Sequence, residues 1–116
     1  ERSITEAIKW YKKSAQQENP LGQYNLGNCY ENGFGVEKSW EEAIKLYRKA
    51  AEKGNSDAQF NLGICYKNGE GVEKDSSQAL KWFCRAAEQG DEDAFSEIGF
   101  LVLISDAQKR FCHLPK

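Results

Sequence analysis

The sequence predicts an all-α protein whose helices form an α/α superhelix, a right-handed solenoid of about two and a half to three 36-residue helix-turn-helix repeats. One glycine-bearing phrase occurs twice, at residues 25–38 and 61–74, which start 36 residues apart. The wider segments 21–56 and 57–92 are identical at 18 of 36 positions. Each segment holds two stretches in which small and apolar residues recur at a helical period. A fixed period of this length is typical of stacked repeats rather than of a closed catalytic domain.

The repeat array is expected to cover residues 1–104, and residues 105–116 form a C-terminal tail that either frays or caps the last helix. The array divides into a partial unit at 1–20, full units at 21–56 and 57–92, and a degenerate unit from 93. In each full unit, a first helix called A precedes a second called B. The predicted spans, in chain order, are B at 4–17, A at 20–32, B at 40–53, A at 57–68, B at 76–89 and A from about 92.

The B helices have start signals at three positions spaced by 36 residues. A hydroxyl or carboxylate at the first position satisfies a backbone donor three residues later, and a Glu or Gln there reaches back. The paired residues are Ser3 with Glu6, Ser39 with Glu42 and, as a weaker variant, Asp75 with Gln78.

The A helices begin differently. Asn19 before Pro20 predicts a cap followed by a first-turn proline. Ser56 or Asp91 is the expected cap of the next A helices. In the last unit Ser105 and Ala107 replace the glycines that end the earlier A helices, so this helix is expected to run past Ile104.

Glycines separate the helices. Gly33 and Gly35, like Gly69 and Gly71, are expected to form a hinge between A and B, because glycine adopts a left-handed conformation without the penalty that a Cβ brings. Gly33-Phe34-Gly35-Val36-Glu37-Lys38-Ser39 lacks the glycine directly before Lys-Ser and the preceding strand of a phosphate-binding loop, so it predicts a structural turn.

Composition limits the function. Sixteen basic and eighteen acidic residues leave no basic patch for nucleic acid. The longest apolar run, residues 100–104, is far shorter than the roughly 20 residues that cross a bilayer, so no membrane segment is expected. The chain starts within a repeat and shows no signal peptide, so we expect a fragment of a longer protein in the cytoplasm, with the endoplasmic-reticulum lumen as the alternative.

The repeated residues resemble the Sel-one-like repeat family, a relative of the tetratricopeptide repeat. The matching positions include the paired alanines, where the helices are expected to approach most closely. The signature residues are Leu26, Gly27, Tyr30, Gly33, Gly35, Ala43, Ala50, Ala51, Gly54, Leu62, Gly63, Tyr66, Gly69, Gly71, Ala79, Ala86, Ala87 and Gly90.

This resemblance implies a non-catalytic scaffold or adaptor that binds other proteins or peptides on the concave face of its A helices, often within a larger signalling protein such as a kinase fusion. A cysteine-rich bacterial branch of the family is the source of an alternative, a hydrolase of the penicillin-binding or β-lactamase-like kind. That branch carries bridging cysteines where this chain has Ala51 with Gln59 and Ala87 with Phe95. The departure weakens the hydrolase alternative.

Four asparagines are candidate protein-binding residues, namely Asn25, Asn32, Asn61 and Asn68. Together with Cys29 and Cys65 they form a repeated pattern interpreted as an exposed edge beside the core stripe, where an asparagine ladder could bind a peptide backbone. The competing interpretation is that Asn32 and Asn68 end helices and that the other two bond to adjacent turns. The cysteines are expected to be small buried hydrophobes.

The sequence offers no catalytic, cofactor or metal site. The only histidine, His113, follows Cys112 near the terminus, and this spacing cannot close a metal site without other ligands. An apolar run in the last helix predicts an interface with another copy, another domain or a partner. Self-association would use Phe100, Leu101, Leu103 and Ile104. In the alternative, residues 107–114 fold back over this run and cover it with Phe111.

Overall fold

The computed structural model describes the backbone of residues 2–112 and the side chains of residues 3–104. Every regular element in this part of the chain is a helix. The six are α1 (Arg2–Gln16), α2 (Pro20–Asn32), α3 (Trp40–Glu52), α4 (Ser56–Asn68), α5 (Ser76–Glu88) and α6 (Glu92–Cys112). Thus α1, α3 and α5 are the predicted B helices, and α2, α4 and α6 are the A helices. The all-α prediction is confirmed, with each boundary within two residues of its expected place.

Each helix packs against its neighbours in the chain, and the molecule extends over 61 × 27 × 19 Å. The elongated shape follows from stacking one repeat on the next. Three hydrophobic clusters lie along the array. The central cluster contains Tyr47 and Leu62, and the clusters towards the two ends contain Leu26 and Phe83.

Helix starts follow the predicted cap chemistry at most positions, but the predicted return bond from Glu42 or Gln78 does not form. The backbone N of Ser39 donates instead to Tyr30 O, and that of Asp75 donates to Tyr66 O, both at 2.9 Å. Ser39 Oγ accepts from Glu42 N at 3.2 Å, and Asp75 Oδ1 accepts from Gln78 N at 3.1 Å. The Asn19 and Pro20 start is confirmed, with Asn19 Oδ1 accepting from Leu21 N at 2.9 Å. Asp91 caps α6 by accepting from Ala94 N at 3.1 Å.

Two predicted cap positions are wrong as well. Ser3 lies inside α1, which already includes Arg2. Helix α4 is capped by Asn55, whose Oδ1 accepts from Ala58 N at 2.8 Å, while Ser56 is the first helical residue. Asparagine and serine are similarly good caps, so adjacent residues of these types leave the boundary open by one position.

The hinge glycines behave as expected. Gly33 and Gly69 cap their helices in the left-handed region at φ 72° and 74°, and Gly35 and Gly71 have φ 71° and 74°. A Cβ on Gly71 would also lie 2.9 Å from Trp40 Cβ and from Ile44 Cγ1. All four positions therefore favour glycine for backbone conformation, and Gly71 requires it for space as well.

A second type of glycine allows two helices to touch. A Cβ built on Gly27 of α2 would lie 2.8 Å from Tyr47 Cε1 on α3. One built on Gly63 of α4 would lie 2.6 Å from Phe83 Cε1 on α5. Each full unit thus packs its A-helix glycine directly against an aromatic ring on its own B helix.

One turn residue was not anticipated. Glu18 has φ 63°, and it occupies the place that Gly54 and Gly90 fill in the later units. Its carboxylate accepts from Gln23 Nε2 at 3.2 Å and lies 3.8 Å from Lys53 Nζ. These contacts favour a side chain at a turn where the other units have glycine.

Helix α6 continues to Cys112, as the loss of the hinge glycines predicted. Since residues 107–112 prolong this helix, they do not fold back over residues 100–104, so that part of the predicted cap is wrong. The side chain of Phe111 and residues 113–116, including His113, lie outside the described part of the chain.

Candidate functional site: the A-helix face and the two ends

The A helices contact one another directly along one side of the array. Asn61 Nδ2 on α4 lies 3.3 Å from Asn28 Oδ1 on α2. Further along, Lys67 Nζ on α4 lies 2.7 Å from Glu97 Oε1 on α6. We call this side the A-helix face and define it by these four residues together with Asn25.

A buried tyrosine joins this face to a B helix. The hydroxyl of Tyr47 on α3 lies 2.6 Å from Asn28 Oδ1 and 2.7 Å from Glu31 Oε1, so its single proton is shared between two acceptors. Burial raises the pKa of Tyr47 well above its ordinary value, and the hydrogen bond and charge of Glu31 raise it further. The phenol therefore stays protonated and acts as a donor.

The four candidate asparagines fall into two pairs. Asn32 and Asn68 are exposed at helix ends, where Asn32 Nδ2 donates to Asn28 O at 2.9 Å and Asn68 Nδ2 lies 3.5 Å from Glu70 Oε1. Asn25 and Asn61 are half-buried on the A-helix face. The structure does not place the four in one ladder, because two of them serve their own helix ends.

The cysteines in the same pattern are not exposed. Cys29 and Cys65 are buried free thiols, as expected for small hydrophobes, so the interpretation of this pattern as an exposed edge is wrong. Burial raises the pKa of Cys65 from 9.0 to about 12, with smaller contributions from Glu31 and Glu70. Burial also raises the pKa of the Cys29 thiol. Both thiols are consequently poor nucleophiles.

A cavity opens at the N-terminal end of the array. Its volume is about 390 Å³, and it lies between α1, α2 and the following turn. Its wall is mainly apolar and includes Ile4, Ala7, Ile8, Tyr11 and Phe34, with Asn25 also lining it. Among the described side chains, no hydrogen bond joins the Asn25 amide to another residue.

The C-terminal end carries an apolar surface on α6. Leu103 is 69% exposed, and Phe100 and Ile104 are also exposed. Leu101 is only 8% exposed and packs in the cluster around Phe83, so its prediction as a self-association residue is wrong. At 3.6 residues per turn, each step along a helix rotates the side chain by about 100°, so Leu101 and Leu103 lie on nearly opposite sides of α6.

Sequence reasoning missed three residues of these surfaces. Asn28 is central to the A-helix face but corresponds to Ile64 in the next unit, so the repeat does not mark it. Phe95 and Val102 are exposed large apolar residues on α6. The repeat frame could have identified Phe95, because it stands where the preceding unit has Gln59. Gln59 is buried and donates to Ala51 O at 3.1 Å.

The described residues form neither a metal site nor a membrane-spanning helix. Among side chains 3–104, no group of three or more His, Cys, Asp and Glu residues is arranged to hold a metal ion. None of the described helices combines the length and apolar character needed to cross a membrane.

Comparisons of the sequence with known proteins point to one family. The Sel1 repeat model matches residues 1–19, 20–55 and 56–91, a frame one residue earlier than the one derived above. A putative Sel1-like repeat-containing protein of Acanthamoeba polyphaga mimivirus is 51% identical over 35 residues, covering 30% of this chain and 6% of that protein.

Solved structures resemble most of the chain. A Sel1 repeat protein from Oxalobacter formigenes has a TM-score of 0.85 at 44% identity, covering 88% of this chain and 42% of its own. The protective antigen c5321 of uropathogenic Escherichia coli scores 0.81 at 38% identity, covering 84% and 21%. Cysteine-rich protein B of Helicobacter pylori scores 0.73 at 34% identity, covering 77% and 67%.

This chain thus spans less than half of the first two solved proteins and a small part of the viral one. Three consecutive segments match one family model. Their limits agree to within one residue with the repeat units defined by the helix pairs and the hinge glycines. The chain belongs to the Sel1 repeat family.

Proposed function

We propose that this chain is a non-catalytic interaction module, an adaptor or scaffold that binds a peptide segment of another protein along its A-helix face. Sel1 repeats are in general protein–protein interaction modules, which supports the class. The proposal makes the A-helix face the concave side of the solenoid, the surface that repeat proteins commonly use for binding.

One observation supports Asn25 and Asn61 as the peptide-binding residues. Asn25 and Asn61 hold equivalent places on neighbouring A helices, and both are half-buried. The Asn25 amide has no hydrogen-bond partner among the described side chains, while Asn61 uses its Nδ2 on Asn28. Their remaining donor and acceptor groups match those of a peptide backbone.

The spacing also suits an extended peptide. Packed helices lie about 8–10 Å apart, and an extended chain advances about 3.3 Å per residue. Asn25 and Asn61 would therefore contact peptide residues about three positions apart. Asn32 and Asn68, which serve helix ends, would contribute little.

The test uses random 12-residue peptides displayed on phage and selected on the parent chain. Calorimetry then compares the chosen peptide on the Asn25→Ala, Asn61→Ala double variant and on an Asn32→Ala, Asn68→Ala control. Two lost hydrogen bonds of about 0.5–1.5 kcal/mol each should weaken binding about tenfold or more in the first variant. Equal affinity in the two variants would contradict the proposed face.

A second element of the proposal is self-association through the exposed residues Phe100, Leu103 and Ile104 of α6. Exposed apolar surface of this kind is typical of an interface. The module is further proposed to act in the cytoplasm as part of a larger signalling protein, such as a kinase fusion. Sequencing the flanking gene segments and fractionating the cells would test both statements.

The hydrolase alternative gains no specific support. Gln59 occupies the place of a bridging cysteine and bonds instead to the Ala51 carbonyl. A nitrocefin assay is expected to show no turnover above buffer, and turnover that follows the purified chain would establish the alternative.

A further inference from the structure

A pocket of about 420 Å³ lies where α1, α2 and α3 meet. This volume is within the range of ligand-binding sites. We call it the Leu46 pocket, and its wall includes Lys12, Ala15, Leu26, Tyr30, Leu46 and Lys49. It contains none of the residues that define the A-helix face. The equivalent place one unit later is formed by α3, α4 and α5, so the two places can be compared within the array.

An indole ring fills the equivalent place. Trp82 of α5 stands one unit of 36 residues after Leu46. Its side chain is 4% exposed and belongs to the central cluster together with Ala51 and Leu62, while Tyr66 packs against that cluster. One unit earlier, the counterparts of these three neighbours all line the Leu46 pocket.

The leucine covers its neighbours less than the tryptophan does. Ala15 is 9% exposed, whereas its counterpart Ala51 is 1% exposed. Leu26 is 6% exposed, whereas its counterpart Leu62 is 0% exposed. The Leu46 pocket therefore keeps the residues that enclose an indole one unit later, but it has no ring between them.

A tyrosine hydroxyl in the pocket also lacks the partner that its counterpart has. One unit later, Arg48 Nη2 donates to the Tyr66 hydroxyl at 2.8 Å. Lys12 stands in the place of this arginine, and no hydrogen bond joins the Tyr30 hydroxyl to another described residue. Because Tyr30 lines the pocket, this hydroxyl can donate to or accept from a ligand.

A basic residue lies over the ring in the filled place. The Arg85 guanidinium is 4.8 Å from the centre of the Trp82 ring. Its counterpart Lys49 is exposed and lines the Leu46 pocket. A cation over the face of an indole is attracted by the ring, so Lys49 can stack on an indole that enters the pocket.

We propose that the Leu46 pocket binds a tryptophan side chain of a partner protein. The indole takes the place between α1 and α3 that Trp82 takes between α3 and α5. This site goes beyond the peptide face proposed above and does not depend on it.

The charges of the rim favour acidic residues beside that tryptophan. Lys12 and Lys49 are exposed and line the pocket. Glu18 is the acidic residue of the described lining, and its carboxylate lies 3.8 Å from Lys53 Nζ, which offsets its charge. A segment of a protein can place carboxylates beside both lysines, whereas a free indole compound fills only the apolar part of the pocket.

Calorimetry on this chain tests the occupant. The probe is the capped peptide Asp-Glu-Trp-Glu-Asp. One control peptide has leucine in place of tryptophan, another has lysine in place of every acidic residue, and N-acetyltryptophanamide represents a free indole compound. The probe should bind about tenfold more tightly than the leucine peptide, because the pocket encloses an aromatic ring. It should also bind more tightly than the lysine peptide and the amide.

Variants of the chain test the place. Leu46→Trp fills the pocket from within, so it should weaken binding of the probe about tenfold or more and raise the melting temperature. Lys49→Ala should weaken binding about threefold through the lost contact with the ring. Glu41→Trp is the control, because it adds a tryptophan at an exposed position of α3 outside the pocket and should bind as the parent. Circular dichroism confirms that each variant is folded.

Equal affinity for the tryptophan and leucine peptides would overturn the indole site, as would unchanged binding by Leu46→Trp. Equal affinity for N-acetyltryptophanamide or the lysine peptide would overturn the acidic protein segment as the occupant. The Asn25→Ala, Asn61→Ala double variant should bind the probe as the parent does. Loss of binding in that variant would place the probe on the A-helix face and overturn the pocket.

Discussion

The hydroxyl of Tyr47 on α3 lies 2.7 Å from Oε1 of Glu31 on α2, so a B helix donates a hydrogen bond to its own A helix. Tyr47→Phe leaves the half-buried carboxylate without this donor. We expect a loss of about 1–2 kcal/mol in the free energy of unfolding, because hydrogen bonds to charged groups exceed neutral ones. Urea denaturation measures the change.

Tyr24→Phe is the matched control for this prediction. The Tyr24 ring packs 6.0 Å from the Tyr47 ring, and its hydroxyl makes no hydrogen bond among the described residues. A change within about 0.5 kcal/mol is expected, as for other substitutions away from specific contacts. Equal losses in the two variants would show that the Tyr47 hydroxyl contributes no specific stability.

Gly71→Ala should destabilise the array more than Gly54→Ala. Both glycines have positive φ, but an added Cβ at Gly71 meets Trp40 and Ile44 at 2.9 Å, whereas Gly54 has open space. The left-handed conformation alone costs about 1–2 kcal/mol, and overpacking adds about 1–3 kcal/mol at Gly71. Thermal and urea melts of both variants compare the two costs. If the two variants lose the same stability, contact with α3 is irrelevant at this hinge.

The pair Lys67 and Glu97 should stabilise the junction of α4 with α6. Its atoms are 2.7 Å apart, and each side chain is 25% exposed. Glu97→Gln is expected to lose about 0.5–1 kcal/mol, with the larger loss at low salt. The control is Glu42→Gln in the more exposed pair with Lys45, 3.6 Å apart, which should change stability by less than about 0.3 kcal/mol. A double-mutant cycle with Lys67→Met isolates the pair.

Alkaline pH should destabilise the fold through Cys65. Its pKa rises from 9.0 to about 12 on burial, so above pH 9 the unfolded chain releases a proton that the folded chain keeps. Stability is therefore fully present below pH 9 and falls up to about pH 12, by about 1.4 kcal/mol per pH unit for this group. Urea melts at pH 8 and pH 10 should show a smaller drop in Cys65→Ala than in the parent.

Thiol reactivity offers an independent measurement of the same burial. Cys84 is exposed, while Cys29 and Cys65 are buried. In a Cys112→Ser background, Ellman's reagent at pH 8 should modify one thiol quickly and the other two only on unfolding. Rapid modification of all three would contradict the packing of α2 and α4 described above.

The sequence by itself determined the repeat frame, the six helices and the turns between them. These features depend on local chemistry. Ser39 and Asp75 accept hydrogen bonds from backbone donors three residues away. Gly33 and Gly69 adopt a left-handed backbone conformation that is strained for other residues. Even the long last helix followed from a local change, the loss of its hinge glycines. The assignment of the α4 cap to Ser56 failed by one residue because Asn55 is an equally good cap.

Only the tertiary structure decided which polar and apolar residues are available. Leu101 and Leu103 are chemically alike, yet α5 covers the first and leaves the second exposed. Asn25 and Asn32 are the same residue on one helix, but Asn32 bonds to its own backbone while Asn25 lines an open cavity. Exposure and hydrogen bonding depend on the neighbouring helix that packs against each position, and the repeat sequence specifies that neighbour only inside the array.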